Sequence, residues 1–492
     1  MDYQGEGKLT QYNMFTGDKQ RQSLLIGTLA FLAAATFLAF RKRGNGAKET
    51  KRRLSFTSVG LGLGSFPPKA NVKEPIINVA VYFAKATDCP SSLDVAQLII
   101  KPWLEYERLS QVPDFDRRIF RPSTLVEIKP VDLIREFHIS GDEEFLNQTI
   151  VDHLQDTLGA GRDDLPWWEI LIIRNAGAGP SACVLRVHHV IGDGLALVAA
   201  FEKLKAAEDG GDSNNIPSLS FKNGGIEKSA NKPGTLSSMW SLLEATAHCL
   251  TLSATKYDDD TAFSRMNHSE MKHSGKRKAV FFPTVPLDFV KKLKTAAGVS
   301  VNDILMVAIS QAIHDYCKLQ NDEILTAKGS AVQCRGLLPV GFPRSRNELN
   351  DKSNSMRNKW CMVSCDMGVG HSDIEDRLRH IHAKTTEMKE KPRAFMQLQI
   401  QNELGPYVPL SVGPSEECLF AGKMVKSVQL FFDNLLTQVD LISYAGRVYG
   451  NIIFDSDQLP NFEDFGRLYV NALADLAKRL KVEAPSEVGK KA

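Results

Sequence analysis

The chain has 492 residues and a formal net charge of +2, with 43% hydrophobic and 24% charged residues. This is the composition of a globular protein with a large core, divided into two to four lobes at about 100 to 200 residues per domain. The small net charge, and the lack of a lysine- and arginine-rich stripe with interleaved aromatic residues, argue against nucleic acid as a partner.

The first predicted element is a membrane anchor at about residues 23–40. The stretch "SLLIGTLAFLAAATFLAF" has eighteen residues without a charge, and Arg41, Lys42 and Arg43 follow it. At about 1.5 Å per residue, a helix of this length spans about 27 Å, which matches a thin bilayer such as that of the endoplasmic reticulum. A cleaved targeting peptide and an interfacial helix are the alternatives. Positive charge is in excess after the segment, which predicts a single-pass protein with its main body in the cytosol.

The eight cysteines agree with a cytosolic body. They are scattered without a Cys-x-x-Cys pair, a usage typical of reduced thiols. No four cysteines and histidines have the spacing of a zinc site, so we expect no metal.

Beyond the N-terminal segment, residues 1–55, the composition predicts two lobes and a linker. The first lobe covers 56–206, the linker or crossover 207–260, and the second lobe 261–482. The linker begins with a run rich in Gly, Asn, Ser and Asp and continues into an apolar helical stretch around Trp240. We interpret that stretch as a buried helix or, alternatively, as a second membrane contact with Trp240 at the interface.

In the first lobe, "LPWWEILIIR" and "SACVLRVHH" are apolar runs separated by "NAGAGP", which predicts two strands of a hairpin. Side chains alternate along a strand, so only one of the adjacent histidines His188 and His189 can face a given cavity. The residues that share a face with His189 are Cys183, Leu185 and Val187.

His189 ends the second strand at a corner, because Gly192 and Gly194 bracket Asp193 in a turn and a helix follows. An apolar stripe begins that helix, at Leu197, Phe201 and Leu204. An imidazole at such a corner suits proton removal near neutral pH. Asp193 either orients the ring or fastens the turn to another part of the fold. For an isolated His-x-x-x-Asp, structural packing is the competing interpretation.

The clearest helix of the second lobe is "VNDILMVAISQAIHDY", whose apolar face comprises Ile304, Ala308, Ile309 and Ile313. Asn302 and Asp303 lie in its first turn, where such residues cap helices.

Together, and in chain order, "DLPWWEI", "HHVIGDG", "VNDILMVA" and "RGLLPVGFPR" resemble four motifs of the wax ester synthase/diacylglycerol acyltransferase family. The resemblance continues through "FAGKMV" and "LISYAGRVYGNIIFDSDQLPN", and covers about residues 78–480. The family's Pro-Leu-Trp motif is Pro166, Trp167 and Trp168 here, and its Asn-Val-Pro-Gly-Pro motif is shortened to Ser411–Pro414.

The resemblance implies a two-lobed α/β (α+β) fold like that of chloramphenicol acetyltransferase, preceded here by the predicted transmembrane helix. It also implies transfer of an acyl group from acyl-coenzyme A, as a substrate and without a cofactor, to diacylglycerol or a fatty alcohol. His189 would be the general base, with His188 beside it and with Asp193 and Gly194 forming the corner. Pro166, Trp168, Asn302 and Asp303 would bind substrate or support the fold, and the capping and catalytic roles of the last two stay open.

Backbone amides at Gly192–Gly194, or the amide of Asn302, are the candidate donors to the oxyanion. Cys183 is expected to pack rather than react, since a coenzyme A thiolate leaves without an acyl-enzyme. A non-catalytic lipid-binding protein and an acyltransferase for small alcohols or amines are the alternative functions. The expected location is the endoplasmic reticulum membrane, with a lipid droplet or plastid as alternatives. The motifs do not discriminate between wax esters and triacylglycerol.

Overall fold

A computed structural model describes residues 74–489 except 115–116, 118, 126, 155, 160–161, 163, 209–257, 265–273, 275, 343, 354, 391–417 and 433–436. The predicted anchor at 23–40, the stretch around Trp240 and the shortened motif at Ser411–Pro414 lie outside these residues. The domain boundaries given above stay predictions.

The described strands are β1 Ile76–Phe83, β2 Gln111–Asp114, β3 Ile119–Pro122, β4 Ile134–Ile139, β5 Trp168–Asn175, β6 Ser181–His188, β7 Arg277–Phe281, β8 Val285–Pro286, β9 Arg335–Gly341, β10 Trp360–Asp366, β11 Leu419–Phe420, β12 Lys423–Met424, β13 Ser427–Phe432, β14 Gln438–Tyr444 and β15 Arg447–Asp455.

The described α-helices are α1 Ser92–Val95, α2 Lys101–Trp103, α3 Glu107–Ser110, α4 Glu143–His153, α5 Gly194–Glu208, α6 Leu287–Ala297, α7 Val301–Leu319, α8 Glu323–Lys328, α9 Arg346–Asn350, α10 Ile374–Glu390, α11 Phe465–Arg479 and α12 Ser486–Gly489. A π-helical turn, Ala96–Ile100, joins α1 to α2. Short 3₁₀ turns lie at Ala86–Asp88, Pro130–Leu133 and Gly329–Ala331.

The first lobe is built on a five-stranded sheet in the order β13-β1-β6-β5-β4. The predicted hairpin is confirmed, since β5 and β6 pair in antiparallel register with Trp168 opposite Val187. Strand β4 is parallel to β5, and β1 is antiparallel to both of its neighbours. Strand β13 comes from late in the chain and pairs Phe432 with Ile77 of β1. The first sheet is therefore completed by a segment that follows most of the second lobe in sequence.

The predicted alternation along β6 is confirmed by the two cores on either side of this sheet. Cys183, Leu185 and Val187 belong to the core that packs against α5. Ala182 and Val184 belong to the opposite core, which packs against α4. The predicted stripe of α5 faces the first of these cores, with Leu197 buried and the two residues that follow it in the stripe half-buried.

The second lobe packs α6, α7, α10 and α11 around the sheet β14-β15-β7, with β8 also paired to β15. Helix α7 begins where the sequence predicts it, because Ser300 and Asp303 form a reciprocal capping box at its N-terminus. Its predicted apolar face is fully buried. In the described part of the chain, no single helix is long and apolar enough to cross a membrane; α6 and α7 pass that test together but are bent by 97°.

Candidate active site

The two lobes meet at the corner between β6 and α5, where the chain carries His188, His189, Asp193 and Gly194. Strand β6 ends at His188, and α5 begins at Gly194. The corner is close to the second lobe, since a Cβ built on Gly192 would lie 2.7 Å from the carbonyl oxygen of Met356. Glycine is therefore needed at position 192 for this approach.

His189 is completely buried and is held by the second lobe. Its Nδ1 lies 3.1 Å from Oδ1 of Asn358, and the Asn358 side-chain amide donates to the His189 carbonyl oxygen at 2.7 Å. The ring also packs against Trp360, with 5.1 Å between ring centroids, and against Phe432 at 6.0 Å. The ring orientation is thus fixed from both sides.

The hydrogen bonds around Asn358 also determine the tautomer of His189. The indole nitrogen of Trp360, which can only donate, lies 3.3 Å from Oδ1 of Asn358. That atom must therefore be the amide oxygen, so Nδ1 of His189 carries the proton and donates to it. Nε2 is left as an unprotonated acceptor, and it has no hydrogen-bond partner among the described residues.

Burial keeps both histidines neutral. Burial lowers the pKa of His189, and this effect exceeds the opposing effects of its hydrogen bonds and of the Asp193 carboxylate. For His188, burial and the neighbouring His189 lower the pKa to about 3. A neutral imidazole with a free Nε2 is the form that can take a proton from a hydroxyl group.

His188 has a different environment. Its ring packs edge-on against Trp167 at 4.9 Å between ring centroids, and its Nδ1 accepts a hydrogen bond from the Val190 amide at 3.2 Å. The His188 amide donates to the Trp167 carbonyl oxygen at 2.9 Å. These contacts make His188 part of the support for the corner.

Asp193 fastens the corner to the second lobe. Its Oδ1 accepts from the Ala196 amide at 3.0 Å, and so caps α5, while Oδ2 accepts from Nη2 of Arg344 and from the Lys359 amide, each at 2.7 Å. The Asp193 and Arg344 side chains are only 3% and 5% exposed. Burial opposes ionisation of Asp193, but Arg344 and the other donors outweigh it and hold the pKa of this carboxyl below its usual range. No hydrogen bond joins Asp193 to His189 among the described residues, which favours the fastening role over ring orientation.

The Pro-Trp-Trp motif packs directly behind the corner. Pro166 is buried and its carbonyl oxygen accepts from the Trp168 amide at 2.8 Å. Trp168 is fully buried, donates from its indole nitrogen to the Leu109 carbonyl oxygen at 2.7 Å, and packs against Trp103. Both residues stabilise the sheet that carries the histidines.

Asn302 and Asp303 lie elsewhere, at the start of α7. Asp303 is buried, accepts from the Ser300 amide, and contacts His382 and Thr385 of α10 at 3.0 and 2.7 Å. Asn302 is exposed, and none of the hydrogen bonds among the described residues involves its side chain. The structure does not bring this pair to His189, and Asp303 caps α7 and links it to α10.

An apolar cavity with about 1010 Å³ of atom-free space, part of it open to solvent, lies beside the corner. Gly194 lines it, and so do Val428 and Leu430 of β13. Phe432, two residues further along the same face of β13, contacts His189. The cavity therefore lies beside the corner that carries His189, although His189 is not itself among the described lining residues. Among its described lining residues only Glu202 carries a charge. The remaining lining residues are Ile77, Val79, Val81, Leu98, Ile99, Leu197, Val198, Phe201, Leu204, Cys418, Leu419, Phe420, Ala421, Val425 and Ile442.

Sequence reasoning did not find Asn358, Trp360 or Phe432. Arg344 is the last residue of the "RGLLPVGFPR" motif, and its pairing with Asp193 was not predicted from the sequence. Cys183 is buried 3.9 Å from the sulfur of Cys89, and burial raises the pKa of its thiol, as expected for packing. In the described part of the chain no group of His, Cys, Asp and Glu could hold a metal ion.

Comparison with known proteins gives relatives of low identity. A probable diacylglycerol O-acyltransferase, Tgs4 of Mycobacterium tuberculosis, is 26% identical over 255 residues, which are 47% of this chain and 51% of the relative. Wax ester synthase/diacylglycerol acyltransferase 5 of Arabidopsis thaliana is 21% identical over 312 residues, 57% of this chain and 60% of the relative. The chain thus aligns with about half the length of the mycobacterial relative. No family model matches the sequence.

Two solved structures share the fold. The wax ester synthase/diacylglycerol acyltransferase of Marinobacter aquaeolei VT8 has a TM-score of 0.53 at 15% identity, covering 87% of this chain and 100% of that one. The first condensation domain of the calcium-dependent antibiotic synthetase has a TM-score of 0.54 at 12% identity, covering 90% and 99%. The two-lobed mixed α/β fold implied by the motifs is confirmed. With the curated relatives, these comparisons show a chain that is similar, at low identity, to members of the wax ester synthase/diacylglycerol acyltransferase family.

Proposed function

We propose that this protein is an O-acyltransferase that moves a long-chain acyl group from acyl-coenzyme A to a lipid alcohol, either diacylglycerol or a fatty alcohol. The observation that carries the proposal is the unprotonated, buried Nε2 of His189 in a corner whose Gly194 lines an apolar cavity. A chemical base next to an apolar cavity suits a reaction between a hydroxyl group and an activated acyl chain. The names of the relatives support the same reaction class.

In the proposed reaction both substrates are bound at once. Nε2 of His189 takes the hydroxyl proton as the alcohol oxygen attacks the thioester carbonyl carbon. The tetrahedral intermediate then collapses, the carbon–sulfur bond breaks, and the coenzyme A thiolate takes the proton back from His189. No cofactor enters this sequence, and the thioester supplies the activation.

The turn after His189 is the favoured source of oxyanion donors. The backbone amides of Gly192, Asp193 and Gly194 form no hydrogen bond among the described residues, and they lie at the positive N-terminal end of α5. Asn302, the other candidate, lies at the start of α7 and makes no contact with His189 among these residues. We assign the oxyanion to the turn.

Membrane attachment through residues 23–40, with the body in the cytosol, belongs to the same proposal and rests on sequence alone. A lipid alcohol and its ester are both nearly insoluble in water, so an enzyme that joins them gains from being held at the endoplasmic reticulum bilayer where such lipids dissolve.

The proposal is tested with the full chain in microsomes and labelled acyl-coenzyme A, offering diacylglycerol and a fatty alcohol in separate reactions. We expect labelled triacylglycerol or wax ester, and about 10²- to 10⁴-fold slower formation of it by the His189→Ala variant. A short-chain alcohol in a third reaction tests for acyltransfer to small acceptors. If the wild-type protein binds acyl chains but transfers none to any acceptor, it is instead a lipid-binding protein on this fold.

A further inference from the structure

The apolar cavity reaches the protein surface at two leucines. Leu98, on the π-helical turn, is 41% exposed, and Leu419, on β11, is 51% exposed; both line the cavity. Among the other described lining residues no large apolar side chain is comparably exposed. Phe420, beside Leu419, is only 4% exposed. The mouth of the cavity therefore lies between Leu98 and Leu419.

A short hairpin forms one side of this mouth. Strands β11 and β12 pair Leu419 with Met424, which is 55% exposed. The two residues between the strands, Ala421 and Gly422, have φ angles of 50° and 72°. Positive φ at both positions is typical of the tight two-residue turn that matches the twist of a hairpin. This turn keeps the Leu419–Met424 pair at the outer edge of the protein.

The hairpin is adjacent to the π-helical turn, so that the exposed side chains form one patch. A Cβ built on Gly422 would lie 3.9 Å from a methyl carbon of Leu98. We call Leu98, Leu419 and Met424 the rim. Single-turn π segments inside α-helices occur frequently at functional sites. A contiguous exposed apolar patch on a folded protein marks an interaction surface.

Two lysines flank the rim. Lys101 is exposed three residues after Leu98, and half-buried Lys423 begins β12. Neither forms an ion pair with any residue that the structure describes, and Lys423 has a longer-range electrostatic interaction with Asp94. Apolar side chains flanked by two lysines complement a lipid surface with anionic head groups, which attracts the lysines and accepts the apolar side chains.

We propose that the rim docks on an anionic lipid surface and that lipid molecules pass between this surface and the cavity without crossing water. The nature of the molecule that passes rests on the proposed function, whereas the docking does not. The continuity between the rim and an apolar cavity favours lipid over a protein partner, because a protein seated on the rim would close the mouth. The rim residues belong to segments of the sequence other than the stretch around Trp240.

Docking is tested by placing a tryptophan on the rim of the full-length protein. In the Leu419→Trp variant, vesicles of brominated phosphatidylcholine with phosphatidylserine should quench fluorescence beyond that of the wild type, which has five tryptophans. Met424→Trp should behave alike. Leu319→Trp is the matched control, because Leu319 is 63% exposed at the end of α7 in the second lobe. The proposal is overturned if Leu319→Trp is quenched as strongly as Leu419→Trp and Met424→Trp. It is also overturned if none of the three variants shows added quenching.

A second measurement separates docking from chemistry. Met424 does not line the cavity, so Met424→Glu should reduce transfer to diacylglycerol in vesicles about tenfold, a factor equal to about 1.4 kcal/mol. Transfer to a short-chain alcohol in solution should be unchanged. If both activities are unchanged, the rim is not the docking surface. If rim tryptophans are quenched but the wild type transfers no acyl group, the proposed function fails and the docking stands. If the wild type transfers acyl groups but the rim tryptophans are not quenched, the docking proposal fails and the proposed function stands.

Discussion

Asn358 is the residue whose replacement tests the proposed base most directly. It makes three hydrogen bonds at the site, to Nδ1 of His189, to the His189 carbonyl oxygen and to Nε1 of Trp360. In Asn358→Ala these bonds are lost, and at about 1 kcal/mol each the free energy of unfolding should fall by about 3 kcal/mol. The His189 ring also loses the bond that fixes its tautomer.

The expected effect on catalysis is smaller than that of removing the base. One lost hydrogen bond of about 1 to 1.5 kcal/mol corresponds to roughly a tenfold decrease in kcat/KM. Removing a general base costs about 10²- to 10⁴-fold. Asn358→Ala should therefore fall between the wild type and His189→Ala, in acyl transfer measured with saturating acyl-coenzyme A.

The pH dependence identifies the mechanism of that decrease. In the wild type the pKa of His189 is lowered by burial, so kcat/KM should stay constant as the pH falls through 6.5, the ordinary histidine value, and decline only below it. Asn358→Asp places a carboxylate at Nδ1–H and stabilises the imidazolium, which raises the pKa of His189. The acid limb of the profile should then move to higher pH.

Asn175→Ala is the matched control, since Asn175 is also a buried asparagine with several hydrogen bonds, here to the turn at Gly141 and Gly177. It should lower stability and leave the pH profile unchanged. If Asn358→Ala and Asn358→Asp keep the wild-type profile while folded, Asn358 does not position the base, and our tautomer assignment is wrong.

Three further predictions concern the corner and the cavity. His189→Ala should lose about 10²- to 10⁴-fold in kcat and His188→Ala should mainly lower the melting temperature; equal losses of activity with normal melting would contradict their roles. Asp193→Ala leaves buried Arg344 unpaired and should cost about 3 to 5 kcal/mol in urea denaturation, whereas Asp193→Leu with Arg344→Met should cost less. Because the pKa of Asp193 is lowered in the folded protein, its carboxylate stabilises the fold at pH values above its pKa in the unfolded chain, about 3.9, and this stabilisation is lost as the pH falls through its pKa in the folded protein. If the unfolding free energy lost in Asp193→Ala does not change with pH in this range, the ion pair is refuted. Val428→Phe narrows the cavity and should shift the preference in competition assays toward shorter acyl chains, and an unchanged preference would place the acyl chain elsewhere.

The features that the sequence predicts well are local ones. The period of two along β6 separates Val187 from His188, and the Gly-Asp-Gly turn marks the corner before α5. Helix α7 is equally predictable, because its capping residues and its apolar face lie within one continuous stretch. In each case the residues that determine the structure are less than twenty positions apart.

The features that the sequence does not predict depend on distant pairs. Asn358 is 169 residues from His189, and Arg344 is 151 residues from Asp193. Strand β13 reaches β1 from more than 340 residues away, and it carries Phe432 to the histidine. Helical or strand periodicity contains no information about such pairs. The same reason explains why the motifs could not place Asn302 relative to His189, since a motif gives the order of segments and not their separation in space.

The hydrogen bond between Nδ1 of His189 and Asn358 also helps to decide which reaction the site favours. An amide oxygen orients the ring without adding negative charge, and the Asp193 carboxylate is bound by Arg344. His189 therefore lacks the direct hydrogen bond to a carboxylate that stabilises the imidazolium in a serine protease triad, and the nearby Asp193 carboxylate does not outweigh the effect of burial. In a buried site this makes the protonated state costly, so it should exist only between proton removal and return to a nearby leaving group. A thioester meets this requirement, because its thiolate leaves readily and accepts the proton, whereas an amine leaving group would need a persistent imidazolium as acid. The geometry thus favours acyl transfer from a thioester over hydrolysis of an amide.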